Sequence, residues 1–233
     1  MIKRTLFIFF FYFGVIFVCV FFLPALFLPQ KITIYGGKIL GIWSKFCLEI
    51  FLSTKVIVNG KEKILNNKKF FIACAHQSQF ETFFLQSLFN SPVFILKKEL
   101  LRIPIFGWHL KKIGSIPIER NKITRENLGF SDQIKKHVNN SNRPIIIFPQ
   151  ATRLDVLDRS PFKKGVKRIY EELNIFCQPV ALNSGNIWPK KGILNPNKTL
   201  IVSILDPINP GMNPDEFINL LQKNIYNEID KIN

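Results

Sequence analysis

At 233 residues and 27.1 kDa, with 47% hydrophobic residues, the chain has room for one domain with a full core plus a short appendage, which excludes a second full domain. Lys and Arg number 32 against 16 Asp and Glu, a formal charge of +16 that suits phosphate-bearing ligands, anionic lipid head groups or nucleic acid. Four scattered cysteines (Cys19, Cys47, Cys74, Cys177) without C-x-x-C spacing, and three histidines without ligand spacing, argue against disulfides and against a metal site.

No charged residue occurs from Thr5 to Pro29, and Phe, Ile, Val and Leu dominate, so this segment is expected in the membrane, where about 20 apolar residues cross a bilayer core. The run is longer than a signal-peptide core and lacks an A-x-A-like exit, which disfavours cleavage. Pro24 and Pro29 obstruct a straight helix and leave a kinked, shallow or re-entrant path open. Lys3 and Arg4 precede the run and Lys31, Lys38 and Lys45 follow it, so loop charge fixes orientation only weakly. From Ile32 to Leu52, Ile39, Leu40, Ile42, Trp43, Phe46, Cys47, Ile50 and Phe51 recur at helical spacing. An amphipathic helix in the membrane interface, with Trp43 at head-group depth, is expected, and a core helix is the alternative. Residues 1–52 are thus read as anchoring helices and 53–233 as the catalytic domain.

In the second part, Val56–Val58 reads as a short strand turning at Asn59-Gly60, and Phe70–Ala75 as a buried strand delivering His76, followed by a helix over Gln77–Asn90. Val93–Leu96 is the next strand. It leads to Lys97 and Lys98, placed to meet a phosphate, and then to an apolar turn or lid at Pro104, Phe106 and Trp108. A short apolar stretch from Ile113 ends at Arg120, whose planar fork suits a phosphate. A polar helix follows over Asn121–Asn140, with His137 expected to be solvated. Ile145–Phe148 is a parallel-type strand ending in Pro149-Gln150-Ala151-Thr152-Arg153. A basic approach from Pro161 to Arg168 enters a helix, strands follow over Pro179–Gly185 and Leu200–Leu205, and a closing helix covers Pro214–Ile232. Strands alternating with helices predict an α/β fold.

His76 and Glu81 are the residues with the clearest chemistry. On a strand-to-helix turn, the glutamate in the first helical turn can take one ring N–H, leaving the other nitrogen to accept a proton near neutral pH. Taken alone, the pair also fits a surface histidine followed by a glutamate favoured by the helix dipole. Ser78 lacks the G-x-S-x-G surroundings of a nucleophile.

In order and spacing, these segments resemble the glycerolipid acyltransferase family, most closely its bacterial 1-acylglycerol-3-phosphate acyltransferases, over roughly Val56 to Trp188. The family's H-x4-D motif is similar to His76 through Glu81, its arginine-ending strand to Gly114 through Arg120, and its F-P-E-G-T-R motif to Phe148 through Arg153. A later Phe-Lys-Gly element matches Phe162, Lys163 and Gly165, and the proline-bearing fourth strand resembles Gln178 through Gly185. Three positions depart from the pattern: Glu81 for aspartate, Gln150 for glutamate and Ala151 for glycine. Alanine fits there only if the turn does not need positive φ.

The resemblance implies a mixed, largely parallel sheet flanked by helices, with a membrane-associated helical segment at the amino end. It implies acyl transfer from acyl-CoA or acyl-carrier protein to the hydroxyl of lysophosphatidic acid, with no cofactor. His76 would be the general base and Glu81 its orienting carboxylate, while Arg120, Arg153, Thr152 and Lys97 or Lys98 would hold the acceptor phosphate. The expected partners are the lipid, the bilayer and an acyl-carrier protein, not nucleic acid. The expected location is a bacterial inner membrane with the catalytic part facing the cytosol. Glycerol 3-phosphate or a lyso-ornithine lipid as acceptor, and an inactive anionic-lipid-binding module, are the alternatives.

Overall fold

The computed structural model describes residues 2–89, 91–118 and 129–233. Among these, β1 (Lys55–Asn59), β2 (Phe70–Cys74), β3 (Val93–Lys97), β4 (Ile116–Ile118), β5 (Ile145–Ile147), β6 (Phe176–Leu182) and β7 (Thr199–Ile204) form one sheet. It is flanked by α1 (Ile2–Phe21), α2 (Gln30–Phe51), α3 (Phe80–Leu88), α4 (Phe106–Lys112), α5 (Phe130–Asn140), α6 (Lys164–Leu173) and α7 (Pro214–Ile232). The order is β1-β7-β6-β2-β5-β3-β4, and every neighbouring pair is parallel except β6 with β7. The mixed, largely parallel α/β sheet expected from the sequence is therefore observed.

This topology decides where side chains meet. β6, β2, β5, β3 and β4 run the same way, so their carboxyl ends share one edge, where open α/β sheets gather ligands. β2 lies between β5 and β6, and its Phe71-Ile72-Ala73-Cys74 run is fully buried, as an interior parallel strand requires. The β2–β5 register pairs Ala73 with Ile147; continued for three residues, it sets His76 opposite Gln150. On the α7 side, Phe217 stacks on Tyr170 of α6 at 3.7 Å between centroids and meets Phe71 of the sheet at 6.3 Å.

Two expectations about helices are corrected. The helix after His76 begins at Phe80 rather than Gln77, because the N–H groups of Gln77 and Ser78 are committed to the Glu81 carboxylate. His137 is half-buried rather than solvated: its Nε2 donates to the Arg143 carbonyl at 2.9 Å, and burial holds its pKa below the ordinary value.

The amino-terminal segment does not run straight. α1 ends at Phe21, Pro24 falls in a 3₁₀ turn (Leu23–Phe27), and Pro29 is the N-cap of α2. α1 is long and apolar enough to cross a membrane, yet one side of it is seated on the body. Phe7 and Phe11 meet the Trp188 ring edge-on at 5.0 and 4.9 Å, Tyr12 donates to Gln79 Oε1 at 3.0 Å, and Lys3 Nζ donates to Ser53 and Asn197. The opposite side carries exposed Phe9, Phe13, Phe17 and Phe21, successive rings 6.1 to 6.3 Å apart.

α2 buries Leu40, Cys47 and Leu48 and leaves Tyr35, Ile42, Phe46 and Ile50 exposed, so it has a core face and an apolar outer face at once. Trp43 is half-buried, its indole seated against α1. A Cβ at Gly14 of α1 would fall 2.1 Å from its Nε1, so the glycine is the notch that admits the indole. Gly14→Leu should therefore lower the denaturation midpoint in detergent by an amount equivalent to about 1–3 kcal/mol, the usual cost of overpacking. An unchanged midpoint would show that the indole is not seated there.

Candidate active site

The carboxyl end of β2 passes through Ala75 to His76, and α3 starts four residues later, which brings Glu81 back under the imidazole. His76 Nδ1 lies 2.9 Å from Glu81 Oε1. The same oxygen accepts the backbone N–H groups of Gln77 and Ser78, each at 2.7 Å, and Oε2 accepts the Ser184 hydroxyl at 2.9 Å. The Glu81 side chain is 0% exposed and that of His76 12%. A fully buried carboxylate is costly unless its lone pairs are taken up, and here four donors take them up. The pairing sets the tautomer of the neutral ring: Nδ1 carries the proton, and Nε2 is left without a partner among the described residues. Phe148 stacks on the imidazole at 4.1 Å with a 19° interplanar angle, fixing the plane of the ring.

His76 is also held through its backbone. Its N–H donates to Gln150 Oε1 at 2.9 Å and its carbonyl accepts from Leu154 N at 2.9 Å, so the loop after β5 grips both sides of the peptide. A glutamine supplies the acceptor as well as the family's glutamate would, without a second buried carboxylate beside the imidazole. Ala151 in that loop has φ 58°, so the turn does require the left-handed conformation and the condition for alanine is not met. Cys74, two residues before His76, is an inert neighbour, since burial, with the Glu81 charge adding, pushes its thiol well above the ordinary value.

The phosphate-binding candidates have different fates. Arg153 leaves the β5 loop half-buried, with no hydrogen bond or ion pair among the described residues. Thr152 accepts from Lys190 Nζ at 2.9 Å, which brings in a lysine that the sequence did not single out. Lys97 ends β3 on the same edge, but it is exposed and paired with Glu99 at 3.1 Å. Lys98 opens the 3₁₀ turn that follows (Lys98–Arg102). Arg120 lies outside the described residues; the strand leading to it, β4, ends on the shared edge. Sequence reasoning gave no role to Ser184 or to Gln77, whose Oε1 accepts Gly185 N at 3.0 Å; the signal present was that both fall inside segments matched to the family's motifs.

Residues 55–183 match the sequence profile of the Acyltransferase family, more than half of the chain. The chain belongs to that family. A 1-acyl-sn-glycerol-3-phosphate acyltransferase from Pseudomonas aeruginosa is 32% identical over 156 residues, covering 64% of this chain and 59% of that protein. One from Helicobacter pylori is 30% identical over 162 residues, covering 67% of each. The match therefore spans little more than half of the Pseudomonas relative's length. The crystal structure of the 1-acyl-sn-glycerophosphate (LPA) acyltransferase from Thermotoga maritima superposes with a TM-score of 0.79, covering 99% of this chain and 96% of that one; at 21% identity it establishes a shared fold.

Within this acyltransferase fold the Ala151 conformation is the testable oddity, because a non-glycine residue in the left-handed region costs about 1–2 kcal/mol. Ala151→Gly should raise the denaturation midpoint by the equivalent of about 1 kcal/mol in equilibrium unfolding. A lowered midpoint would contradict the assignment.

Proposed function

We propose that this chain transfers a fatty acyl group from acyl-CoA or acyl-carrier protein to the sn-2 hydroxyl of 1-acylglycerol-3-phosphate, releasing free thiol and phosphatidic acid. The observation that carries the reading is the His76–Glu81 pair, its tautomer set by a fully buried carboxylate, at the end of a strand beside the one that leads to Arg153, which has no partner among the described residues. The names of the Pseudomonas and Helicobacter relatives support the choice of acceptor.

In this mechanism Nε2 takes the hydroxyl proton as the oxygen attacks the thioester carbonyl. The C–S bond then breaks, and the departing sulfur receives the proton from the imidazolium. Glu81 offsets the charge on the imidazolium while it exists. No acyl-enzyme is required, and a positioned base of this kind contributes about 10²–10⁴-fold. Arg153, with Lys190 held beside Thr152, grips the acceptor phosphate, with Lys98 and Arg120, which follow β3 and β4 in the sequence, as the further candidates. Lys97 contributes less because Glu99 already occupies it.

Residues 1–52 form the membrane seat and 53–233 the catalytic body in this reading. The phenylalanine row of α1 and the outer face of α2 are the surface that meets lipid. Because the other side of α1 is fastened to the body near Gln79, this seat brings the bilayer surface to the site without a crossing. The chain would sit on the cytosolic face of a bacterial inner membrane, with its positive charge drawing it to anionic lipid and to an acidic carrier protein.

In mixed micelles with acyl-CoA and lysophosphatidic acid, the protein should release thiol, and His76→Ala should cut the rate at least about 10²-fold with the circular dichroism spectrum unchanged. Undiminished turnover in that variant would remove the base assignment. Faster turnover with glycerol 3-phosphate or a lyso-ornithine lipid would change the acceptor, and lipid binding without thiol release would make the chain a binding module.

A further inference from the structure

The glutamate at position 81 raises a geometric question, since the family pattern has an aspartate there and the extra methylene must be accommodated inside a fully buried pocket. The two carboxylate oxygens are used unequally. Oε1 gathers His76 Nδ1 and two backbone N–H groups within 2.7–2.9 Å, and Oε2 has one partner among the described residues, the hydroxyl of Ser184 at 2.9 Å. Ser184 lies just past the end of β6, in a 3₁₀ turn (Ser184–Asn186), and is itself fully buried. A carboxylate with one oxygen tied in this way cannot rotate about its last side-chain bond, so Oε1 stays in line with the imidazole.

The approach of the two loops is itself built. Gly185 N donates to Gln77 Oε1 at 3.0 Å, and a Cβ at Gly185 would come within 3.2 Å of Gln77 Cβ, so the glycine allows the turn to close on residues 77–81. From Ser184 and Gly185, two hydrogen bonds thus cross from the end of β6, one to the start of α3 and one to the loop after β2. We propose that Ser184 is a positioning residue for the His76–Glu81 pair, and that it is the partner that lets a glutamate stand where the family has an aspartate. The consequence for catalysis rests on the acyl-transfer reading above; the positioning itself does not.

The test is a double-mutant cycle with two readouts. Ser184→Ala should lower kcat about 10-fold, roughly the value of one charge-assisted hydrogen bond, with the acceptor KM within about twofold. Glu81→Asp should lower kcat at least as much, because the shorter carboxylate cannot reach His76 and Ser184 together. The double variant should be no slower than Glu81→Asp alone, since the contact is already broken there. The second readout needs no turnover: the downfield His76 Nδ1–H proton resonance should exchange with solvent faster in Ser184→Ala than in the parent protein. Multiplicative losses in the cycle together with unchanged proton exchange would overturn the proposal, as would a Ser184→Ala variant that is merely less heat-stable with kcat intact. If the parent protein releases no thiol with any acceptor, the acyl-transfer reading fails and the exchange measurement still decides the role of Ser184.

Discussion

The structure depends on keeping one carboxylate, that of Glu81, entirely out of water. Removing such an ion from solvent costs several kcal/mol even after relaxation, and a buried charge survives only when its lone pairs are taken up. Four hydrogen bonds do this for Glu81, each to a charge-bearing acceptor and so worth about 1.5–3 kcal/mol. The donors come from the loop after β2 and from the turn after β6, so satisfying the carboxylate brings two parallel strand ends together. The loop after β5 adds the third grip, on the backbone of His76. The imidazole is thereby held through both its ring and its backbone.

The amino-terminal helices extend the same logic outward. α1 has one side fastened to the body through Phe7, Phe11 and Tyr12 and another that displays a row of phenylalanines to the exterior. An exposed apolar surface of that extent marks an interaction site, and its attachment beside Gln79 couples that surface to the loop that carries His76. The His109 imidazole donates from α4 to the Cys19 carbonyl at 2.8 Å and fastens the far end of α1 as well.

Much of this was legible in the sequence, for identifiable reasons. β2 and β5 announce themselves because an interior parallel strand must be apolar on both faces, and His76 and Arg153 stand out because each follows such a run. Pro24 and Pro29 marked where α1 could not continue, although not that the chain would fold back onto the body. Ser184 was illegible because its role exists only once β6 is known to lie beside β2, a pairing across more than a hundred residues that composition does not encode. The seat of Trp43 against α1 was illegible because it is made by an absence, the missing side chain of Gly14. The left-handed turn at Ala151 was hidden for a similar reason, since the residue present is not one that advertises positive φ.

The central claim is that the Glu81 carboxylate holds His76 with its proton on Nδ1 and its lone pair on Nε2. Nitrogen-15 spectra of the protein labelled in its histidine rings, with His76 assigned by comparison with a His76→Ala variant, test it directly. For the neutral form of that ring the account predicts a protonated Nδ1 and a bare Nε2. A proton on Nε2, or a ring exchanging freely between the two tautomers, would contradict it.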